Sequence, residues 1–196
     1  DGILGEEYGT SGSAHRQWIV DPIDGTAAFL RGIPVWGTLI ALAVDGAPVV
    51  GVVSCPALGR RWWGATGRGA WTRTRGGEAE RLSVSGVGEL ADATFSYNSI
   101  QGWDGAGRLD QLLGITREVW RTRSIGDVWP YMLVAEGAID AVAEFDLQPY
   151  DMAAIVPIVQ EAGGRFTDAS GAPGPWGGSA LATNGRLHDA LLSRLR

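Results

Sequence analysis

Lysine is absent from the chain: all 16 basic residues among its 196 are arginines. That excludes a P-loop lysine, Schiff-base chemistry and a Ser–Lys hydrolase. Cysteine occurs once, as Cys55, so neither an intrachain disulfide nor a cysteine-held metal cluster can form. A reducing, cytoplasmic compartment is the matching expectation. Two histidines, His15 and His188, are too few for a histidine-rich zinc site. Positive charge is short as well, since 22 acidic residues against 16 basic ones give a net charge of −6. No basic stripe is available for a nucleic-acid backbone, so no nucleic-acid partner is expected. No apolar run approaches a membrane span and no signal peptide is visible, so no membrane partner is expected either. The chain opens on Asp1 rather than Met, which reads as a trimmed or partial chain.

What is present is a core: 45% of the residues are hydrophobic and 19% charged, enough for one ordinary folded unit. Hydropathy patterning divides it into a β-rich half over 1–90 and an alternating half over 91–196, an α+β layered fold. In the first half, residues 8–16 read as a mobile small-residue loop and Gln17–Val20 as a buried strand ending at Asp21-Pro22. Val35–Val44 and Val49–Ser54 read as strands joined by an Asp45-Gly46 hairpin turn. Arg61–Ala65 and Ala70–Arg73 continue this antiparallel meander, and 74–81 reads as a solvated tip. In the second half, strands are expected at Thr94–Tyr97, Ala138–Ala143, Phe166–Thr167 and Ser179–Thr183. Helices are expected at Leu109–Leu113, Asp127–Glu136, Pro149–Glu161 and Leu187–Leu195.

The chemistry concentrates in Trp18-Ile-Val-Asp21-Pro-Ile-Asp24-Gly25-Thr26. Two aspartates three apart, at the end of an apolar strand stiffened by Pro22, point into one small volume with the Ile23 carbonyl between them. Oxygen-only donors suit a hard cation such as Mg2+. Gly25-Thr26 opens a helical turn whose free N–H groups form a cradle for phosphate. A metal cluster facing an anion cradle describes metal-assisted phosphoryl hydrolysis. Alone, the stretch could equally be a strand followed by an Asp-Gly turn. Glu6-Glu7 in a Gly-flanked segment, otherwise an exposed acidic pair, adds carboxylates. So does Asp151, which heads an apolar helix and could there serve only the helix dipole.

Taken together, Gly5-Glu6-Glu7, Trp18-Ile-Val-Asp21-Pro-Ile-Asp24-Gly-Thr26, Tyr150-Asp151-Met-Ala-Ala and Glu161-Ala-Gly-Gly164 resemble the inositol monophosphatase-like, Mg2+-dependent phosphatases. The resemblance implies the layered α/β sandwich of the sugar phosphatases, with both halves forming one compact catalytic unit. It implies two to three Mg2+ ions. Glu6, Asp21 and the Ile23 carbonyl would hold one and Asp21, Asp24 and Asp151 a second, with Glu7 assisting at a weaker third. Asp24, Gly25 and Thr26 would bind phosphate. Glu6, Asp21 and Thr26 would direct a metal-activated water in line, without a phosphoenzyme. The helical pair that such proteins carry ahead of Gly5-Glu6-Glu7 is missing, which bears on stability, dimer geometry and site closure; a homodimer is what the resemblance implies.

The substrate signal is finer. Phe29-Leu-Arg-Gly-Ile-Pro-Val-Trp36, Ser54-Cys-Pro-Ala-Leu-Gly-Arg-Arg-Trp-Trp63, Ser124-Ile-Gly-Asp127 and Leu133-Val-Ala-Glu-Gly137 are similar to the histidinol-phosphate phosphatase branch. Its substrate carries an ammonium and an imidazole, and Asp127 and Glu144 are the carboxylates placed to meet them. Asp127 could instead be a plain N-cap, and Glu144 a surface acid at a strand end. Inositol monophosphate, fructose bisphosphate and 3′-phosphoadenosine phosphate stay open as substrates, and a metal-binding fragment without activity stays open as a class. Three patterns read as accidents. Cys55 and Arg61 match a Cys-x5-Arg spacing, but Pro56 lacks the N–H that a phosphate loop needs. Gly64-x-x-Gly67-x-Gly69 is a turn between strands, with no helix following it. Most of the nine tryptophans, Trp18, Trp62 and Trp63 among them, read as core rather than as a carbohydrate-binding surface.

Overall fold

The computed structural model describes residues 1–7 and 9–196. Alternation of buried and open positions builds the first sheet, which has eight strands. They are β1 (Gly2–Gly5), β2 (Gly9–Ser11), β3 (Arg16–Asp24), β4 (Gly37–Val44), β5 (Ala47–Cys55), β6 (Arg60–Ala65), β7 (Ala70–Thr74) and β8 (Ala79–Arg81). Their spatial order is β2-β1-β3-β4-β5-β6-β7-β8, with β1 and β3 parallel and the remaining pairs antiparallel. The meander from β3 to β7 follows the expected pattern. Asp45 and Gly46, both at positive φ (51° and 79°), form the hairpin turn between β4 and β5.

The second sheet has five strands: β9 (Thr94–Tyr97), β10 (Arg121–Ser124), β11 (Ala141–Phe145), β12 (Arg165–Thr167) and β13 (Ser179–Thr183), in the order β10-β9-β11-β13-β12. The helices are α1 (Thr26–Leu30), α2 (Ile100–Gly105), α3 (Leu109–Glu118), α4 (Trp129–Ala135), α5 (Pro149–Met152), α6 (Ile155–Glu161) and α7 (His188–Leu195). Helices α4 and α6 lie between the sheets. Val134, Ile155, Ile158 and Val159 there bury against Ile19, Leu39, Val53 and Trp62 of the first sheet. Helices α2, α3 and α7 cover the other face of the second sheet, with Trp103, Leu112, Ile115 and Leu191 packed on Phe95, Ala143 and Leu181.

Four expectations are corrected. The loop over 8–16 contains β2, an exposed edge strand that pairs with β1 through its backbone and therefore needs no apolar side chains; Tyr8 lies outside the described residues. The tip over 74–81 shrinks to a turn, because Ala79–Arg81 returns to pair with β7. Trp18 is not core: it is 37% exposed on the outer face of the first sheet, opposite Ile3 and Leu42. The single helix over 149–161 is two, α5 and α6. Pro157 has no N–H to bond the Ala153 carbonyl, and its ring crowds that turn.

The bend after α5 brings backbone onto backbone. Gly51 and Gly64 are partners across β5 and β6 and leave a patch of sheet without side chains. A Cβ on Gly51 would lie 2.0 Å from the Ala154 carbonyl oxygen, and one on Gly64 would lie 3.0 Å from the Ile158 Cα. The start of α6 therefore settles directly on the sheet, which fixes the height at which α5 carries Asp151.

His188 shows how tightly the far side is built. It is fully buried, with Nε2 3.0 Å from Thr167 Oγ1 and Nδ1 3.1 Å from Thr183 Oγ1. Thr167 Oγ1 donates to the Asp168 carbonyl and so can only accept from the ring, which assigns the ring proton to Nε2. Burial, the largest cause, and the charge of Arg165 push the His188 pKa from 6.5 down to about 4. The unfolded chain takes the proton first. This residue's contribution is thus complete above pH 6.5 and lost as pH falls from 6.5 toward 4. His188→Gln keeps a neutral hydrogen-bonding side chain and is expected to remove about 3 kcal/mol of the acid sensitivity over that window. Urea unfolding of both proteins across that range measures it; parallel pH curves would contradict the assignment.

Candidate active site

The end of β3 is shaped to face two aspartates the same way. Alternation places Asp21 on the inner, buried side of the strand, where its neighbour Pro22 faces outward. Between Asp21 and Asp24 the pairing with β4 slips, and this irregularity re-aims Asp24 toward the same cavity. Gly25 follows at φ 80°, a left-handed turn that opens α1; a Cβ there would also press at 3.0 Å on the Asp127 carboxylate and the Val35 carbonyl. Asp151 arrives from α5. One ligand atom each from Asp21, Asp24 and Asp151 lie within 4.8 Å of one another.

Each of these three carboxylates is held by a backbone N–H. Asp21 Oδ1 accepts from Ile23 at 2.9 Å, Asp24 Oδ2 from Val128 at 2.7 Å, and Asp151 Oδ2 from Gln148 at 2.7 Å. One oxygen of each is thereby fixed and the other remains to act. This is the kind of orienting contact that supports metal ligands. The electrostatics agree. Burial, then Glu6 and Asp151, raise the Asp21 pKa to about 7. Burial, then the charges of Glu6 and Asp127, raise that of Asp151 to about 6 against the Gln148 N–H. Asp24 is raised well above its usual range by burial, then Asp127 and Asp21. Such a cluster asks for positive charge, and its donors are all oxygen, which fits a hard divalent cation.

The surrounding cavity, of about 260 Å3, gathers the residues singled out from the sequence: Glu6, Asp21, Ile23, Asp24, Gly25, Thr26, Asp127, Glu144 and Asp151. Glu7 is exposed and is not among the residues lining it. Thr26 Oγ1 donates to the Ile23 carbonyl at 2.9 Å, so its lone pairs are left for other donors. Asp127 is not an N-cap: α4 begins two residues later, capped by Val128, and Asp127 sits at φ 58°. Nor is Glu144 a surface acid. It is 2% exposed, and burial raises its pKa to about 8 even though Tyr131 donates to its Oε2 at 2.9 Å.

Four lining residues, Asn98, Tyr131, Asp146 and Leu147, carry no sequence signal that separates them from ordinary loop and core positions. The accidental patterns stay accidental. Cys55 is buried while Arg61, from the same pattern, is exposed on the outer face. Glu161 accepts the Gly67 and Gly69 N–H groups and so occupies the glycine turn itself. A larger cavity of about 580 Å3, lined by Arg60, Arg61, Arg73 and Arg75, contains none of the predicted site residues.

A model of the inositol monophosphatase family matches residues 1–196. The chain belongs to that family. It is an α+β phosphoric monoester hydrolase. It is 56% identical to a histidinol-phosphatase of Streptomyces coelicolor over 100% of this chain and 75% of that protein. A Mycobacterium tuberculosis histidinol-phosphatase gives the same identity and the same coverage of both chains. Among solved structures, an inositol monophosphatase from Zymomonas mobilis superposes with a TM-score of 0.89 at 33% identity, covering 100% of this chain and 75% of that one. Among the described residues no helix is long and apolar enough to cross a membrane.

Proposed function

We propose that the chain hydrolyses L-histidinol phosphate to L-histidinol and phosphate with Mg2+. The observation that carries this reading is the charge of the cavity wall. Seven acidic side chains line it, from Glu6, Asp21, Asp24, Asp127, Glu144, Asp146 and Asp151, and among the described residues no basic one does. A phosphate dianion cannot approach such a wall unless cations come first. Asp127, Glu144 and Asp146 exceed what the ions need and favour an alcohol that is itself cationic. The small cavity volume, below the roughly 300–1,000 Å3 of ordinary ligand sites, disfavours a nucleotide. The names of the two relatives at 56% identity point the same way.

In this reading Glu6, Asp21 and the Ile23 carbonyl would hold one ion and Asp21, Asp24 and Asp151 a second. Mg2+, when bound, supplies charge neutralisation and Lewis acidity toward the phosphoryl oxygens and the attacking water. The chain's own groups do the rest. The backbone N–H groups of Gly25 and Thr26 hold the phosphate at the start of α1. Thr26 Oγ1, its proton committed to Ile23, accepts a hydrogen bond from the water and so aims the water's lone pair at phosphorus. Glu6, beside Asp21, takes up the proton that the water loses. Asp127 and Glu144 grip the cationic alcohol, so that the ester bond lies in line with the water. Residence in a reducing cytosol, in keeping with one buried unpaired thiol, and homodimeric assembly complete the proposal.

Phosphate release with Mg2+ from histidinol phosphate, inositol monophosphate, fructose bisphosphate and 3′-phosphoadenosine phosphate tests the reading; the first is expected to be preferred. Glu144→Gln removes the ionisable carboxyl at nearly constant shape and is expected to raise KM about ten-fold or more for histidinol phosphate, with a smaller change for inositol monophosphate. Equal changes on both would take Glu144 out of the alcohol pocket. An inositol monophosphatase, as in the Zymomonas mobilis neighbour, is the second reading, and preference for inositol monophosphate would favour it.

A further inference from the structure

Tyr131 has no place in the reading so far, yet it stands in the cavity wall. Its ring is 2% exposed, tilted at 38° against Phe166 with centroids 6.3 Å apart, so the hydroxyl has little freedom of position. A tyrosine hydroxyl has one proton, and this one goes to Glu144 Oε2 at 2.9 Å. The other oxygen of the same carboxylate, Oε1, is buried and has no hydrogen-bond partner among the described residues. A Tyr–Glu pair that served the fold alone would be expected to satisfy both oxygens, since an unpartnered buried carboxylate oxygen is costly. Here one oxygen is anchored and the other is without a partner among the described residues, in a side chain that lines the cavity. Nothing on the backbone competes for it: Glu144 belongs to β11, whose main chain is occupied by pairing with Ala180 on β13.

We infer that Tyr131 is a positioning residue that sets the substrate selectivity of the site. By occupying Oε2 it fixes the rotamer of Glu144 and presents Oε1 alone, at one place and in one direction, to an N–H donor on the alcohol side of the phosphate ester. The donor class is a protonated amine or a ring N–H, because a carboxylate oxygen held in a buried wall gains most from a charged donor. A neutral polyol would gain less from the same oxygen. The inference rests on the proposed role of Glu144 as a substrate contact and adds the residue that aims it.

The test is a double-mutant cycle on the selectivity ratio, kcat/KM for histidinol phosphate divided by kcat/KM for glycerol 2-phosphate, using the Mg2+-loaded chain. Tyr131→Phe keeps the ring and its packing and removes only the donor; thermal melting with Mg2+ checks that it folds. The ratio is expected to fall about ten-fold or more in Tyr131→Phe, as for loss of a hydrogen bond to a charged group. The fall is expected to come from a higher KM for histidinol phosphate more than from a lower kcat. On a Glu144→Gln background the same substitution is expected to leave the ratio within about two-fold, because the two residues act as one unit. If the wild-type ratio is large and Tyr131→Phe preserves it, or if the fall persists undiminished on the Glu144→Gln background, the inference about Tyr131 is overturned while the substrate reading stands. A wild-type ratio near unity overturns both. If Tyr131→Phe does not fold, Tyr131→Met replaces it as an apolar filler; an unchanged ratio in that variant counts equally against the inference.

Discussion

Asp24→Asn is expected to lower kcat/KM by more than about 100-fold while leaving the apo protein at least as stable as the parent. The loss follows from its place in the cluster, since even residues that merely orient metal ligands are worth about 10–100-fold, and Asp24 is placed as a ligand. The stability follows from its other bond. An asparagine oxygen can still accept the Val128 N–H that Asp24 Oδ2 accepts at 2.7 Å, so the junction between β3 and α4 is kept. The substitution also removes a negative charge from a group of buried carboxylates that already raise one another's pKa values. Because the folded cluster binds protons that the unfolded chain has released, its repulsion weakens the apo fold as pH rises from about 4 through 7. Relief should therefore be largest at alkaline pH. Steady-state kinetics with Mg2+, and melting of the metal-free proteins at pH 8, separate the two effects. Retained turnover would remove Asp24 from the metal site, and a collapse in melting temperature would make its role one of folding.

Gly51→Ala is expected to cost at least about 3 kcal/mol, the upper range for forcing an extra methyl into packed structure. For a chain of this size that is a fall of roughly 6–12 °C in melting temperature. The added carbon would stand 2.0 Å from the Ala154 carbonyl oxygen and 2.9 Å from Pro157 Cγ, and the first of these is backbone that no rotamer change can move aside. Either β5 or the start of α6 must shift. Since Asp151 lies three residues before Ala154, the shift reaches the carboxylates proposed to hold the metal, and kcat is expected to fall as well. Calorimetry and phosphate release on the same preparation check both. A melting temperature within 2 °C of the parent, a change smaller than one methyl of overpacking costs, would mean that the helix sits higher over the sheet than described.

Much of the site is readable along the chain because its parts are local. Asp21 and Asp24 lie three apart on one strand end, and Pro22 and Gly25 mark how that end is turned. Asp151 stands at the head of a helix whose apolar run is plain. The meander was legible for the same reason: β4 and β5 alternate and share an Asp-Gly turn. What could not be read depends on partners far along the chain. β10 is four residues of arginine, threonine and serine whose only strand signal is its pairing with β9. Tyr131 sits among buried Pro130, Met132 and Val134 and looks like filler until Glu144 is brought to its hydroxyl by a separate strand. The break between α5 and α6 is a different case. Pro157 marks it along the chain, but the apolar run of 149–161 continues across the break and reads as one helix.

Cys55 has a use that its chemistry in the cell does not suggest. It lies on the core side of β5 with none of its surface exposed, and burial, then the charge of Asp24, push its thiol up to about 12. A thiol reagent therefore finds no target on the folded chain, and with no lysine anywhere the usual amine side reactions are confined to the N-terminus. Labelling at this one position counts openings of the central layer between the sheet and α4. The rate at which the chain takes up one reagent molecule becomes a clock for unfolding, read by mass and requiring no engineered probe.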